Sequence, residues 1–131
     1  MTEIEKTEKI TINLGPVDLG QIDLLVQEGF YSNRTDFIRT AVRTQIATHA
    51  DVVKRTITRK TLVLGVQHYT RQDLEAMRAT GETLQINVLG LVSIAEDVSP
   101  ELALATISAL EVLGAFRASA AVKAALAGRI R

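Results

Sequence analysis

The feature that most constrains this chain lies in residues 8–47, which read as a short strand, a helix, a tight turn and a second helix. Apolar and polar side chains alternate through residues 9–14, with Ile10, Ile12 and Leu14 on one face and Lys9, Thr11 and Asn13 on the other. Alternation with a period of two predicts a half-buried strand. A lone strand cannot satisfy its own backbone groups. We therefore expect it to pair with the same strand of a second copy, as an antiparallel two-stranded ribbon.

A ribbon of this kind fits the major groove of DNA, where each base pair presents a distinct pattern of donors and acceptors. Its outward row of polar side chains would face the base edges. The pattern thus predicts a DNA-binding protein that works as a homodimer.

The two segments that follow the strand have the features of short amphipathic helices. Pro16 suits the first position of a helix, because its missing N–H would have no partner there, and Gly29 predicts the end of that helix. Either Ser32 or Asn33 can cap the second helix, and Asp36 follows Asn33 at the spacing of a capping box. The apolar face of the second helix consists of Ile38, Val42 and Ile46, and Phe37 and Ala41 flank it. Two helices this short bury little in a monomer, so we expect a core shared by two intertwined copies.

Residues 8–47 resemble the ribbon-helix-helix family of bacterial DNA-binding proteins, the Arc, MetJ and CopG type. The resemblance lies in residues 8–14, in the turn at residues 29–35 and in residues 37–43. It implies that alternate strand residues read bases, namely Lys9, Thr11 and Asn13. It also implies that the start of the second helix anchors a DNA phosphate, through Ser32, Asn33, Arg34 and Thr35. The helix dipole and the free N–H groups of a helix N-terminus favour an anion there.

Each assigned residue also has an ordinary explanation. Lys9 can be a charged guard against edge-to-edge aggregation, and Thr11 and Asn13 can be solvated positions on an exposed strand. Ser32 and Asn33 can be helix caps, a role that is compatible with phosphate binding.

The composition limits the kind of DNA binding and the cellular location that we expect. Fifteen basic and fifteen acidic residues give a formal net charge of zero. Nonspecific affinity should then be weak and its salt dependence modest, since binding rests on where the charges lie. The chain has no cysteine, which excludes disulfides and thiolate metal sites. A polar N-terminus and the lack of an apolar run of about 20 residues predict a cytoplasmic protein without a signal peptide or membrane contact.

The connection at residues 49–60 has two interpretations. Val53 and Ile57 can continue the second helix, or residues 56–61 can begin a strand. The basic residues here, Lys54, Arg55, Arg59 and Lys60, are typical of a solvated linker, with DNA contact as the alternative.

The C-terminal region shows a weak internal repeat. Gly65, Gly90 and Gly114 are 25 and then 24 residues apart, by subtraction of their numbers, and each follows the dipeptide Val-Leu. Each unit reads as a β-rich stretch through the glycine, followed by a turn and a short helix. A period in this range is the signature of stacked repeats, although a chain this rich in Val, Leu and Gly can also produce the match by chance. Residues 84–94 should form a strand with Ile86, Val88 and Val92 inward, and Ser99-Pro100 and Gly128 should begin and end helices.

These observations predict an α+β protein. An N-terminal ribbon-helix-helix domain at residues 1–48 would form an intertwined dimer. Residues 49–60 would be a linker or helix extension, and residues 61–131 a small α/β domain of about three strand–helix repeats, similar to a leucine-rich or β-solenoid stack. We identify no family resemblance for this last region.

No sequence pattern points to catalysis, a metal or a cofactor. A branch of the family senses nickel, but this chain has only His49 and His68 and no cysteine. His68 is more typical of a packed or surface residue than of a ligand. The chain also lacks a phosphate-binding loop and a nucleophile–base pair, so we do not expect an enzyme.

Three functions remain. The first is a transcriptional repressor that binds double-stranded DNA as a dimer, with a C-terminal domain for assembly or for a small ligand. The second is an antitoxin that would hold a protein partner through residues 61–131. The third is a DNA-organising structural protein whose C-terminal domain polymerises. The long apolar C-terminal region disfavours the antitoxin, and we expect the first.

Overall fold

A computed structural model describes residues 7–131. Within that range the chain forms both helices and strands, which confirms the mixed composition of the predicted α+β class. Residues 1–6, which begin the predicted first domain and carry the charged N-terminus, lie outside the described residues. In chain order the elements are α1 (Pro16–Gln27), α2 (Arg34–Thr48), α3 (Ala50–Lys60), β1 (Val63–Tyr69), α4 (Arg71–Thr80), β2 (Leu84–Ile94), α5 (Pro100–Thr106), β3 (Ile107–Arg117), α6 (Ala120–Leu126) and a short 3-10 helix (Ala127–Arg129). No helix in this range combines the length and the apolar character needed to cross a bilayer.

The described chain divides into two compact units, one of which is Lys9–Arg55 and the other Thr56–Arg131 together with Thr7 and Glu8. The division falls inside α3. The two units are therefore described separately.

In the first unit the predicted helix signals are confirmed, whereas the predicted strand is not formed. Residues 7–15 contain neither helix nor strand, because a strand needs a partner and the described residues offer none. Pro16 is the first residue of α1. After α1 the chain turns at Gly29, whose φ of 89° lies in the left-handed region that glycine adopts at low cost. The amide of Phe30 closes the turn by donating to the carbonyl of Leu25 at 3.0 Å.

Of the two predicted caps for α2, Asn33 is the one used. Its side-chain Oδ1 accepts a hydrogen bond from the Asp36 amide at 2.8 Å. The Asp36 carboxylate reaches back to the amide of Ser32 at 2.9 Å, not to that of Asn33. The reciprocal pattern thus resembles the predicted capping box, but it closes one residue earlier.

The connection after α2 is helical. Its last residue is Thr48, and α3 begins at Ala50, with the amide of Val53 donating to the carbonyl of His49 at 3.1 Å. The alternative in which a strand begins at residue 56 is wrong, since β1 begins at Val63.

The second unit, called the α/β unit below, is a three-stranded parallel sheet in the order β1-β2-β3, with a helix after each strand. Helix α5 packs against both α4 and α6. The predicted alternation of a glycine-containing strand and a short helix is confirmed by these elements. Ser99 caps α5 through the Leu102 amide at 3.1 Å, as the Ser99-Pro100 signal predicts. Helix α6 ends at Leu126, two residues before Gly128, the residue predicted to end it. Gly128 itself lies in the 3-10 helix that follows.

The core of this unit lies between the sheet and its helices. The predicted inward residues of β2 are confirmed, since Ile86, Val88 and Val92 are all buried. Its other members come from the helices, from the end of β2 and the loop after it, and from the beginning of β3, and are Leu74, Ile94, Val98, Leu102, Ala103, Ile107, Leu110, Val122 and Leu126. Burying apolar side chains of this size supplies the main stabilisation of such a fold.

The three glycines of the internal repeat lie in one row across the sheet. Gly65 pairs with Gly90, and Gly90 pairs with Gly114. All three have a φ in the left-handed region, at 140°, 142° and 123°. Any other residue would be strained in this conformation, so the sequence spacing has a structural cause.

Candidate nucleic-acid interface

The residues predicted to read bases, Lys9, Thr11 and Asn13, are all exposed. The apolar residues that alternate with them are also open to solvent, with 78% exposure for Ile10 and 55% for Ile12. Both rows of side chains are therefore exposed in the single chain and open to a binding partner. A row of exposed isoleucines beside a row of exposed polar residues is the arrangement expected of a strand whose apolar face has still to be covered.

An open apolar groove runs beside this segment. It has a volume of about 480 Å³, and it is lined by Ile12, Leu14, Asp18, Gln21, Ile22, Leu25, Phe37, Ile38, Ala41 and Val42. The apolar face predicted for α2 thus forms one wall. Helix α2 has no buried residue and α1 has only Ile22. Because the described part of this unit buries so little, its apolar side chains lack the enclosure that a folded domain needs.

The start of α2 is a second candidate contact with DNA. The amides of Arg34 and Thr35 are the first two of the helix and have no hydrogen-bond partner among residues 7–131. They point away from the helix body, and the dipole places partial positive charge at them. The Asp36 amide donates to Asn33 Oδ1, and the Asp36 carboxylate accepts from the Ser32 amide. Of the four residues predicted to anchor a phosphate, Arg34 and Thr35 therefore offer free amides, whereas the Ser32 amide and the Asn33 side-chain oxygen are engaged.

The guanidinium of Arg34 is paired with a residue that the sequence patterns do not single out. Its Nε and Nη2 donate to the two carboxylate oxygens of Asp23 on α1, both at 2.8 Å. This hydrogen bond lowers the pKa of Asp23 and raises that of Arg34. A bidentate ion pair fixes the position of the guanidinium and also neutralises its charge. Asp23 lies eleven residues before Arg34, beyond any helical spacing, so only the tertiary structure brings the two together.

The structure shows no metal centre in the part of the chain that it describes. No three His, Asp or Glu side chains among residues 7–131 are close enough to share an ion. His68 lies on β1 and is exposed, while His49 lies at the end of α2.

Comparison with known proteins identifies the chain at the level of its family. The sequence pattern of the ribbon-helix-helix transcriptional regulator family matches residues 5–123. The chain belongs to the ribbon-helix-helix transcriptional regulator family. No curated protein and no solved structure matches it.

The family match confirms the resemblance of residues 8–47 and extends well beyond it. It includes β1, β2, β3 and the helices α4 and α5. The α/β unit, for which the sequence suggests no family, is thus part of the family pattern. The family is one of transcriptional regulators, which supports DNA binding and not catalysis as the role of the chain.

Proposed function

We propose that this member of the ribbon-helix-helix family is a transcriptional repressor that binds double-stranded DNA as a homodimer. Residues 9–14 of two copies would pair as an antiparallel ribbon in the major groove, with Lys9, Thr11 and Asn13 on base edges. The observation that carries the proposal is the open groove between α1 and α2. Its walls are apolar, and the exposed residues Ile12 and Leu14 lie at it.

A second copy is the occupant that best fits this groove. Covering the apolar face of α2 and the apolar row of residues 9–14 at once requires a chain that also supplies a strand partner. A second copy supplies both, because residues 9–14 of each copy would pair with residues 9–14 of the other. Burying a valine or isoleucine side chain contributes about 1.5–3 kcal/mol, so the shared core would provide most of the stability of this domain.

The start of α2 would fix the dimer on the DNA backbone. A phosphate oxygen can accept from the free amides of Arg34 and Thr35, an arrangement that helix N-termini favour. Contacts of this kind set position and register, while the strand residues supply sequence choice. Asp23 and Asp36 place two carboxylates near this phosphate site, which fits the weak nonspecific binding expected from the neutral net charge.

We further propose that the α/β unit joins DNA-bound dimers into larger assemblies. Its two outer strands leave backbone groups without a strand partner in the described chain, and such edges invite pairing. This feature equally supports the alternative of a DNA-organising protein that polymerises. The antitoxin alternative is less well supported, because this unit has a folded core of its own.

A matched pair of variants tests the dimer. Val42 lines the groove and is 50% exposed, whereas Val17 lies outside it and is 74% exposed. Val42→Glu should abolish both dimerisation and DNA binding, because it places a charge in the shared core. Val17→Glu should leave both unchanged. Light scattering coupled to size exclusion would give the mass at low concentration, where the sheet edges do not join copies, and fluorescence anisotropy with DNA selected from a random library would give the affinity.

The proposal fails if the full chain enriches no sequence from the library, since sequence choice is its central claim. It also fails if Val42→Glu binds the selected DNA as tightly as the wild type does, because the ribbon requires two copies.

A further inference from the structure

The three strands of the sheet share one register and one short sequence. Going across from β1 to β3, the structure aligns Val63 with Val88 and Val112, Leu64 with Leu89 and Leu113, and Gly65 with Gly90 and Gly114. A strand added outside β3 that continued this pattern would place Val, Leu and Gly beside Val112, Leu113 and Gly114. The strand β1 has that sequence. The outer edge of β1 would in turn take a strand with the sequence of β3.

The backbone at Gly65 is shaped for a neighbour that the described chain does not supply. At Gly90 and at Gly114, a Cβ would overlap the carbonyl oxygen of the preceding glycine in the row, which is why no side chain fits there. Gly65 has nearly the same φ as Gly90, yet a Cβ on Gly65 would meet nothing within 4 Å. The position that a preceding carbonyl would occupy is open at Gly65. Since Gly114 has the same type of backbone conformation, its carbonyl is placed to face the next strand outward.

Apolar side chains are exposed along these same edges. Leu64 is 71% exposed and Leu113 is 44% exposed, whereas Leu89 between them is only partly exposed, since it has a neighbour on each side. Parallel sheets rarely leave such residues in water. Unpaired backbone groups beside exposed leucines form an edge that favours pairing with another strand.

The open part of β3 matches the starting point of β1 and can pair with five of its seven residues. At one end, Ile130 bridges to Leu110, and the amide of Arg131 donates to the Leu110 carbonyl at 2.9 Å. At the other end, Arg117 holds the carbonyl of Thr7 at 2.7 Å and the carboxylate of Glu8. An incoming β1 in the glycine register begins with Val63 beside Val112, just past the Ile130 bridge. Among residues 7–131, these contacts leave the outer edge of residues 112–116 open to the incoming strand.

We propose that the β3 edge of one copy pairs in parallel with the β1 edge of a second copy, with Gly114 beside Gly65 and Leu113 beside Leu64. The occupant of each edge is thus this same chain. The interface is head-to-tail, so every added copy exposes another free edge, and the assembly grows as a filament or closes as a ring. This inference rests on the assembly role proposed above and specifies how that assembly is made.

Two substitutions at opposite edges test the head-to-tail geometry in the full chain. The wild type should form species larger than a dimer as its concentration rises, measured by sedimentation velocity. Leu64→Lys and Leu113→Lys should each remain dimeric, because each loses one of the two complementary edges. A one-to-one mixture should assemble again, since the intact β3 edge of the first variant meets the intact β1 edge of the second. Leu104→Lys is the control, because Leu104 is 38% exposed but lies on the central helix α5; it should assemble like the wild type.

A disulfide between copies provides a second measurement that does not depend on adding charge. The chain has no cysteine. Within one copy, Leu64 and Leu113 are two strand spacings apart, roughly 9–10 Å, which is too far for a disulfide. The double variant Leu64→Cys, Leu113→Cys should therefore give a ladder of covalent multimers on a non-reducing gel. Each single cysteine variant should give no such ladder.

Several results would overturn this interface. They are a wild-type chain that stays dimeric at every concentration, a mixture of the two lysine variants that stays dimeric, or a double cysteine variant that forms no ladder. Loss of DNA binding in a chain that still assembles would instead contradict the DNA-binding proposal and leave this interface standing.

Discussion

The carbonyl oxygen of Gly65 occupies the space in which a Cβ on Gly90 would lie, and the carbonyl of Gly90 occupies the same space beside Gly114. This close backbone approach ties the three strands of the α/β unit to one register, because a shift by one residue would bring a side chain against a carbonyl. Sterics between backbones thus explain Gly90 and Gly114, whereas the positive φ explains glycine at all three positions.

We predict that Gly90→Ala destabilises the α/β unit more than Gly65→Ala does. Both variants place a side chain at a left-handed φ, which costs on the order of 1–3 kcal/mol. Only Gly90→Ala also creates an overlap with the carbonyl of Gly65, so β1 and β2 must separate. Urea unfolding of the full chain at low concentration, where dimers do not assemble further, would measure the difference. Equal losses for the two variants would show that the close approach contributes nothing.

We predict that Asn13→Ala relaxes sequence preference, while Arg34→Ala weakens binding to all sequences alike. Losing a hydrogen bond to a base edge costs about 1–3 kcal/mol of discrimination at that position. Arg34→Ala keeps the backbone amide but removes the guanidinium that neutralises Asp23 beside the phosphate site, which lowers affinity uniformly and also reduces the salt dependence. Anisotropy titrations against the selected site and its single-base variants, at several salt concentrations, would separate the two effects. A similar loss of preference in both variants would contradict the assignment of reading to the strand and anchoring to α2.

Asp23 offers a test at the same site, because its replacement should strengthen DNA binding. We predict that Asp23→Asn strengthens DNA binding irrespective of sequence, because it releases the guanidinium of Arg34 and removes a negative charge beside it. The slope of log affinity against log salt should become steeper by up to about 0.9 for each additional phosphate that the protein neutralises.

The double variant Asp23→Asn, Arg34→Ala serves as the control for this improvement. If Arg34 is the group released, adding Arg34→Ala should cancel the steeper salt slope. Stronger binding that persists in the double variant would mean that the carboxylate acts only by repelling DNA.

The pH dependence of the α/β unit should include a contribution from the cap of α4. The carboxylate of Asp73 accepts from the amide of Thr70 at 2.9 Å, and this backbone hydrogen bond, with that of the Thr70 hydroxyl, lowers the pKa of Asp73. A pKa lower in the folded than in the unfolded state means that the stabilisation is complete above the unfolded value of 3.8. It is lost as the pH falls through the lower, folded value.

Asp73→Asn tests this contribution, since it keeps a side-chain oxygen but removes the charge. We predict that the variant unfolds at lower urea than the wild type at pH 7, and that the two unfolding midpoints converge as the pH falls below about 4. Midpoints that differ by a constant amount from pH 7 to pH 3 would assign the effect to packing and not to the charge of Asp73.

Local sequence signals predicted the local structure well, because caps, turns and strands depend on residues near in sequence. Pro16, Gly29, Asn33 and Ser99 mark helix ends where the structure has them. Ile86, Val88 and Val92 face the core as their alternation and context suggest. The strand at residues 9–14 is the exception: its pattern is clear, but a strand cannot form without a partner, which the single chain does not provide.

The sequence by itself determined the ribbon-helix-helix pattern of residues 8–47 and the three glycine-centred strands with their helices, because short-range periodicity and backbone conformation encode both. Only the tertiary structure decided which side chains meet across long separations. It paired Asp23 with Arg34, put Gly65, Gly90 and Gly114 in one row, and left Leu64 and Leu113 exposed on opposite edges. The physical reason is that pairing of strands and of distant charges depends on how whole elements pack, and no local propensity carries that information.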